Sequence, residues 1–189
     1  MTPFRHLGER EVHRGYIWNV VVAEFESPSG ERFTRDIVRS PGAVTCVPIT
    51  YAADDPERRR PLVTLISQYR APFGEFILET PAGMRDVEGE DDADNARREL
   101  AEEVGLAAAT IEPLGVSYQS PGMTDSAIAI FLATDCTPVA RTPHGPEEDH
   151  SEVLTVPLDE AVQWILDGRI RNSSTVIALL LAERRLREA

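Results

Sequence analysis

The sequence predicts an α/β protein in which helices form layers around a β-sheet. Short apolar or alternating runs typical of strands fill most of the chain, and turn residues separate them. One helical pattern interrupts these strands, and two more follow near the end. With 189 residues, of which 42% are hydrophobic and 27% charged, the chain can bury one sizeable core. The order strands, helix, strands, helix, helix favours mixed layers over a bundle or a barrel.

The strands are predicted from their alternation and from the turns between them. Residues 16–39 indicate a hairpin, because "YIWNVVVAEFE" and "ERFTRDIVR" flank the turn "SPSG". The polar loop "AADDPERRR", expected to be solvated, separates two further strands. The remaining strand signals are "GAVTCVPITY", "PLVTLISQYR", "EFILETPAG", "TIEPLGVSYQ" and "SAIAIFLATDC".

The first predicted helix covers Asp92–Val104. Asp91 and Asp92 are good N-caps, and Gly105 is a natural stop. Residues 138–152 are predicted to form a long polar loop. After this loop, "PLDEAVQWILDG" and "NSSTVIALLLAERRLREA" are typical of two helices that each begin with a capping signal.

Charge and cysteine content limit the classes of partner. Lys and Arg number 19 against 32 Asp and Glu, so the net charge of −13 argues against nonspecific binding to nucleic acid or to anionic membranes. An anionic substrate would need metal ions or well-placed arginines. Cys46 and Cys136 lie in apolar runs and are expected to be buried thiols. The absence of a signal-peptide pattern and of an 18-residue apolar run leads us to expect a cytoplasmic protein.

The first helix carries an unusual group of carboxylates. Ala96, Leu100 and Val104 define its buried stripe, whereas Glu99, Glu102 and Glu103 share another face at spacings i, i+3 and i+4. Such a group can be a solvated acidic face. It can also bind hard divalent cations such as Mg²⁺, which take carboxylate, carbonyl and phosphate oxygens. A Gly-containing turn just before the helix and an arginine four residues before Glu102 favour the metal site.

The segment "RRELAEEVGL" resembles the Nudix box of the Nudix hydrolases. The pattern R-E-[apolar]-x-E-E-x-G-[apolar] is matched by Arg98, Glu99, Leu100, Glu102, Glu103, Gly105 and Leu106. Glu90 also fits, eight residues before Arg98. The box glycine would fall at Met84, but the glycine is Gly83, so the intervening loop is one residue longer. A loop absorbs one residue cheaply, whereas a helix insertion would rotate the carboxylates.

The resemblance implies a role for each matching residue. Glu99 and Glu103, with the backbone carbonyl of Ala82, are implied metal ligands. Glu102 is implied as a further ligand, direct or through water, and as a catalytic residue. Arg98, Glu90 and Gly83 are implied supports of the ligand carboxylates. The expected ion is Mg²⁺, with Mn²⁺ as a possible substitute.

The resemblance extends to the ADP-ribose pyrophosphatase subfamily through "SQYR", "ETPAG", Pro121 and the final two helices. It implies a Nudix α/β/α sandwich with a mixed sheet over residues 41–189. It also implies that residues 1–40 form an N-terminal β hairpin subdomain exchanged across a homodimer. The implied reaction is hydrolysis of ADP-ribose to AMP and ribose 5-phosphate. The alternatives are GDP-mannose or another nucleotide sugar as substrate, and a non-catalytic module that senses such a ligand.

Substrate contacts are predicted with alternatives left open. Trp18 can stack on a base or lie in a core. Arg70 can clamp a phosphate bidentately or form a structural salt bridge, and Arg35 is a weaker candidate of the same kind. Pro121 and Met123 occupy the loop "SPGMTD" and are placed with the substrate by the resemblance.

The general base is expected in the loop before the penultimate helix. Some relatives in the resembled family carry a glutamate just after the "PG" loop, where this chain has Ser126, and others carry it in the loop before the penultimate helix. Counting back from Gln163–Trp164 favours Glu147, with Glu148 next and Asp149 and Glu152 nearby. The alternative is a disordered acidic loop in solvent. A base on a mobile loop would complete the site only when substrate is bound.

Overall fold

The computed structural model describes residues 3–188 and contains ten strands and four helices within them. Residues 1, 2 and 189, the ends of the two predicted domains, lie outside the described residues. The elements are β1 (Arg5–Arg14), β2 (Asn19–Glu26), β3 (Arg32–Arg39), β4 (Ala43–Tyr51), β5 (Pro61–Arg70), β6 (Glu75–Glu79), β7 (Ala82–Met84), α1 (Asp92–Val104), β8 (Leu106–Tyr118), β9 (Ala127–Pro138), α2 (Pro146–Asp149), β10 (Glu152–Pro157), α3 (Leu158–Leu166) and α4 (Ser173–Arg187).

One compact unit contains the described residues up to Gly42 together with Tyr118–Ala127. Its antiparallel sheet has the order β1-β2-β3, so the hairpin predicted within residues 16–39 is confirmed as β2 and β3. The first strand, β1, was not predicted. Its sequence "RHLGEREVHR" places charged residues on both faces, and every residue in it is exposed. It therefore lacks the apolar alternation that identifies a half-buried strand.

The second unit contains Ala43–Ser117 and the described residues from Ile128 onward. Its seven-stranded sheet has the order β10-β5-β4-β9-β8, with β6 added to β5 and β7 to β4. The strands β4 and β9 run parallel, whereas β5 runs antiparallel to its neighbours β4, β6 and β10. The sheet is therefore mixed, as the resemblance to the Nudix family implied.

Helices cover both faces of this sheet, which gives the expected α/β/α sandwich. Alternation along β4 separates the two layers, since successive side chains in a strand point to opposite faces. Val47 and Ile49 belong to the core cluster that includes α3 and α4. Val44 and Cys46 belong to the cluster with the apolar stripe of α1. The carboxylate helix therefore packs on the face of the sheet opposite to α3 and α4.

Several local predictions are confirmed, and others are corrected. The structure confirms α1 at its predicted limits, and Cys46 is a buried free thiol, whereas Cys136 is only half-buried. The loop "AADDPERRR" is not wholly solvated, because Asp55 is buried and accepts the backbone N–H groups of Arg59 and Arg60.

The segment before α3 also differs from its prediction as a long loop followed by a capped helix. It contains the short helix α2, and β10 begins at Glu152. Helix α3 starts after Pro157 without a side-chain cap, whereas Asn172 caps α4 by accepting from Thr175 N at 2.9 Å. Within residues 3–188, no helix is both long enough and apolar enough to cross a bilayer.

Candidate active site

Helix α1 is fixed at both ends by its own sequence. The side chain of Asp91 accepts from Asp94 N at 2.8 Å, which satisfies one free donor of the first turn. Gly105 ends the helix at φ 66°, a left-handed conformation that costs glycine little. The predicted apolar stripe of Ala96, Leu100 and Val104 is buried. The orientation of the glutamates is therefore set by the packing of the opposite stripe.

The three glutamates of α1 differ in burial. Glu103 is only 3% exposed, and one of its carboxylate oxygens accepts from Ala82 N at 2.8 Å. The side chain of Glu99 is 12% exposed and that of Glu102 is 22% exposed. Glu103 is therefore the buried member of the three, beside the Pro81–Ala82 turn, and Glu102 is the most exposed.

The guanidinium of Arg98 lies close to four carboxylates, two of which belong to the glutamates of α1. Its guanidinium donates to both oxygens of Glu90 at 3.0 Å, to Glu99 at 2.6 Å and to Glu102 at 3.1 Å. Asp86 lies 3.5 Å away. Hydrogen bonding to Glu90 is the main cause that raises the pKa of Arg98. The arginine therefore partly neutralises the acidic face and limits the positions of Glu99 and Glu102.

Buried threonines hold the turn that faces Glu103. Thr45 Oγ1 on β4 donates to Pro81 O at 3.0 Å and lies 2.7 Å from Thr80 Oγ1. Thr80 N donates in turn to Thr175 Oγ1 on α4 at 3.1 Å. Because these groups are buried, their hydrogen bonds are costly to leave unmade. They link the turn before the glutamate helix to β4 within the sheet and to α4 on one of its faces.

Gly83 provides the space that Glu99 occupies. A Cβ atom built at residue 83 would lie 1.9 Å from Glu99 Cδ and 2.0 Å from its Oε1. Any side chain there would displace the carboxylate. On the other side of the turn, Asn95 Nδ2 donates to Met84 O at 2.9 Å. The glycine is thus needed where Glu99 meets the turn, and the longer loop toward Glu90 leaves this contact in place.

Burial sets the acidity of the two inner glutamates. Desolvation raises the pKa of Glu103 to about 8, opposed by the Ala82 N–H and increased by the charges of Glu99 and Glu148. Desolvation also raises the pKa of Glu99 to about 7, opposed by Arg98 and increased by Glu102 and Glu148. Both groups lack a counter-charge strong enough to offset their burial.

These residues fit a divalent cation by their chemistry. Carboxylate oxygens are the ligands that Mg²⁺ and Mn²⁺ prefer, and a cation would supply the missing counter-charge. As the described residues stand, however, no three His, Cys, Asp or Glu side chains are gathered closely enough to hold a metal ion. In this arrangement Ala82 N–H holds Glu103, and Arg98 holds Glu99 and Glu102.

Arg70, at the end of β5, forms the salt bridge that was one of its two predicted roles. Its Nε donates to Glu79 Oε1 at 3.0 Å and its Nη2 to Oε2 at 2.6 Å. Asn172 Nδ2 also donates to Glu79, at 3.2 Å. Hydrogen bonding to Glu79 raises the pKa of Arg70, and the charges of Glu103 and Glu147 act in the same direction. Contact with a substrate phosphate stays a prediction.

The predicted base loop approaches α1 from the end of β9. Glu148 is half-buried, and its Oε2 accepts from His144 N at 2.7 Å, whereas Glu147 is exposed. The charges of Glu148 and Glu147 shift the pKa values of different groups. The charge of Glu148 helps to raise the pKa of Glu99 and Glu103, and that of Glu147 acts on Arg70. Glu148 is therefore the loop carboxylate whose charge contributes to the raised pKa of the inner glutamates.

The remaining predicted substrate residues belong to the first unit. Trp18 is 53% exposed, so its alternative role as a core residue is wrong. The Arg35 guanidinium lies 4.7 Å from the ring centre of Phe33 and donates to Thr34 O. Pro121 and Met123 are exposed in their loop, and Met123 O accepts from Val38 N at 2.9 Å. Their contacts with substrate stay predictions.

Some residues around the glutamates were missed by sequence reasoning. They are Thr45, Thr80, Thr175, Asn95, Glu79, Arg141 and His144. The threonines and Asn95 act through tertiary hydrogen bonds, which leave no periodic signal along the chain. Arg141 could have been noticed as the only basic residue other than histidine in the acidic segment 138–152.

A sandwich with one carboxylate helix behind a glycine turn is the architecture of a Nudix hydrolase. Residues 42–179 match the NUDIX domain, and the chain belongs to this family. The resemblance found in the sequence is therefore confirmed, and the protein is a Nudix hydrolase.

Two relatives and one solved structure illustrate the similarity. An ADP-ribose pyrophosphatase of Mycobacterium tuberculosis is 34% identical over 94% of this chain and 82% of its own length. The methanol dehydrogenase activator of Bacillus methanolicus is 33% identical over 89% and 86%. A crystal structure of an ADP compounds hydrolase, 23% identical, covers 100% of this chain and 96% of its own with a TM-score of 0.82. This last likeness supports the fold.

Proposed function

We propose that the protein hydrolyses the pyrophosphate bond of ADP-ribose in the presence of Mg²⁺, or Mn²⁺ in its place, and releases AMP and ribose 5-phosphate. The observation that carries the proposal is the buried pair of Glu99 and Glu103 beside the Gly83 turn. For both carboxylates, burial outweighs the positive charge nearby, as expected of groups that hold a cation. The full-length similarity to an ADP-ribose pyrophosphatase supports the substrate.

In this proposal the three glutamates of α1 hold the cation, and Arg98 keeps two of them in place. A bound divalent cation would neutralise charge on the pyrophosphate and polarise the phosphorus under attack. Arg70 lies at the end of β5 with its charge directed toward the acidic groups, and part of its side chain remains exposed. It can donate to a substrate phosphate while its bidentate bond to Glu79 keeps it oriented.

Glu148 is the proposed general base. It takes a proton from the water that attacks one phosphorus, the bond from that phosphorus to the bridging oxygen breaks, and the second phosphate leaves. Spacing in the sequence favoured Glu147, but Glu148 is half-buried and its charge contributes to the raised pKa of the inner glutamates. Glu147 remains the second candidate, ahead of Asp149 and Glu152.

One experiment tests the reaction. The purified protein is incubated with ADP-ribose and Mg²⁺ in ¹⁸O-water, and the products are analysed by mass spectrometry. We expect one labelled oxygen in either AMP or ribose 5-phosphate. Label in neither product would exclude attack by water at phosphorus. GDP-mannose and other nucleotide sugars, tested in parallel, decide whether the alternative substrate class is preferred.

The quaternary structure and location are also proposals. We infer a homodimer in which the N-terminal sheet is exchanged, because a two-stranded hairpin is marginally stable alone and the third strand, β1, buries none of its residues. The unit found in the structure contains β1 and Tyr118–Ala127 in addition to the predicted hairpin. A cytoplasmic location stays a prediction from the sequence.

A further inference from the structure

The segment between β9 and β10 is attached to the C-terminal end of α1 by its backbone. Val139 N donates to Gly105 O at 2.9 Å, and Thr142 N donates to Glu102 O at 3.3 Å. A Cβ atom at Gly105 would lie 3.1 Å from Val139 O. The glycine that ends the helix therefore also leaves room for this segment to approach.

Arg141 connects this attachment to the loop carboxylate. Its Nε donates to the backbone carbonyl of Glu103, in a short hydrogen bond. Its Nη2 donates to the backbone carbonyl of Glu148 at 3.2 Å and to Ser151 Oγ. One half-buried guanidinium thus spans a proposed metal ligand and the proposed base.

The carboxylate of Glu148 is held within the same loop. His144 N donates to its Oε2 at 2.7 Å, and Ser151 Oγ donates to its backbone carbonyl at 2.6 Å. The ring of His144 also approaches α1, with Nε2 3.7 Å from Glu102 Oε1. The backbone of Glu148 is therefore held by Arg141 and Ser151, and its side chain is held by the backbone of His144.

We propose that Arg141 is a positioning residue for the hydrolysis, because it sets the Glu148 carboxylate at a fixed place relative to the glutamates of α1. The inference rests on the proposed function. A planar guanidinium with several donors can bond to two carbonyls and a hydroxyl at once, which a lysine cannot do in the same geometry. The arginine would contact neither substrate nor cation and would act through Glu148.

The test compares Arg141→Ala with Arg141→Lys in hydrolysis of ADP-ribose with Mg²⁺. For Arg141→Ala we expect kcat to fall on the order of 10-fold to 100-fold, as a misplaced catalytic group does. KM and the affinity for Mn²⁺, measured by electron paramagnetic resonance, should stay within about twofold, since ground-state contacts are retained. Arg141→Lys should recover part of kcat, and added guanidinium should raise kcat of Arg141→Ala in a saturable manner.

Arg97→Ala is the matched control. Arg97, on α1, likewise donates to a backbone carbonyl, that of Ala108 at 2.7 Å, but among the described residues it has no hydrogen bond to the loop that contains Glu148. We expect near-normal kcat and no response to guanidinium. If Arg141→Ala lowered kcat only as much as Arg97→Ala, or lost Mn²⁺ affinity in proportion, Arg141 would be a structural residue and the inference would be overturned.

Hydrogen exchange gives a readout that does not depend on the substrate. In Arg141→Ala, the amides of Thr142 and His144 should exchange faster, whereas those of the α1 core should be unchanged. Unchanged exchange in the loop would overturn the inference even if activity fell. A wild-type protein inactive toward ADP-ribose and nucleotide sugars would overturn the proposed function, and exchange would then decide alone whether Arg141 positions the loop.

Discussion

Replacing Glu103 by Gln should stabilise the metal-free protein at alkaline pH while abolishing its catalysis. Burial raises the pKa of Glu103 to about 8 from an ordinary value of 4.5. The folded state therefore binds this proton more tightly than the unfolded state does. The resulting stability is fully present below about pH 4.5 and is lost as the pH rises through about 8. Glutamine carries no charge and escapes this loss.

The magnitude follows from the burial of the carboxylate. A pKa of about 8 against 4.5 corresponds to at most about 5 kcal/mol, at about 1.4 kcal/mol per pH unit. Relaxation of the site and coupling to Glu99 reduce this limit, so we expect about 2 kcal/mol. For a chain of this length, about 2 kcal/mol raises Tm by roughly 4–8 °C. The Gln side chain keeps an oxygen that can accept from Ala82 N.

The assay is thermal unfolding in excess chelator near pH 5 and near pH 9. We expect a higher Tm for Glu103→Gln at the alkaline pH and a difference close to zero at the acidic pH. Addition of Mg²⁺ should raise Tm of the wild type and have little effect on the variant, because ligand binding stabilises only the state that binds. Turnover of ADP-ribose should fall by orders of magnitude.

Glu79→Gln is the control for charge removal at a buried position. Glu79 is as buried as Glu103 but is paired bidentately with Arg70, so its loss leaves that arginine without its partner. This variant should lower Tm at both pH values. A Glu103→Gln protein that was less stable than the wild type near pH 9, or as active with Mg²⁺, would refute the reasoning about a buried carboxylate without a counter-charge.

Three further predictions concern the turn, the loop and the assembly. Gly83→Ala should push Glu99 from its place and weaken Mn²⁺ binding at least tenfold, measured by titration, with turnover falling in parallel; unchanged affinity would show that the turn can move. Glu148→Gln should lower kcat by about 100-fold or more with little change in KM, whereas Glu147→Gln should lower kcat less. If both variants kept the kcat of the wild type, neither residue would be the base. Sedimentation should show a dimer at micromolar concentration, and a monomer there would exclude the exchanged N-terminal sheet.

Much of the glutamate helix could be predicted from local sequence. Its limits follow from Asp91 and Gly105, and its buried stripe from apolar residues at helical spacing. Both are determined within one stretch of chain. The carboxylate group was visible for the same reason, because a helix converts spacing directly into a shared face.

Features that depend on distant contacts were not predictable. Strand β10, which pairs with β5, was not predicted, because only four residues separate the predicted loop 138–152 from the segment predicted as the next helix. From the sequence, Arg70 could be assigned either a salt bridge or a phosphate contact, because one side chain can serve either role. The sequence did not identify Glu79 as its partner. The preference for Glu148 over Glu147 depends on which side of a short helical turn faces α1, which counting along the chain does not resolve.

The contact between Gly83 and Glu99 has a consequence for how the family motif varies. One end of the intervening segment is fixed by the absence of a side chain at Gly83, and the other by the two bonds from Arg98 to Glu90. Between these two anchors, Met84 and Arg85 are held by Asn95 and Asp92, whereas residues 86–89 form an exposed connection. Their number can change during evolution while both anchors persist. Searches that require a fixed spacing would therefore pass over active members whose anchors are intact, and the exposed residues 87–89 are the natural place to insert a reporter sequence.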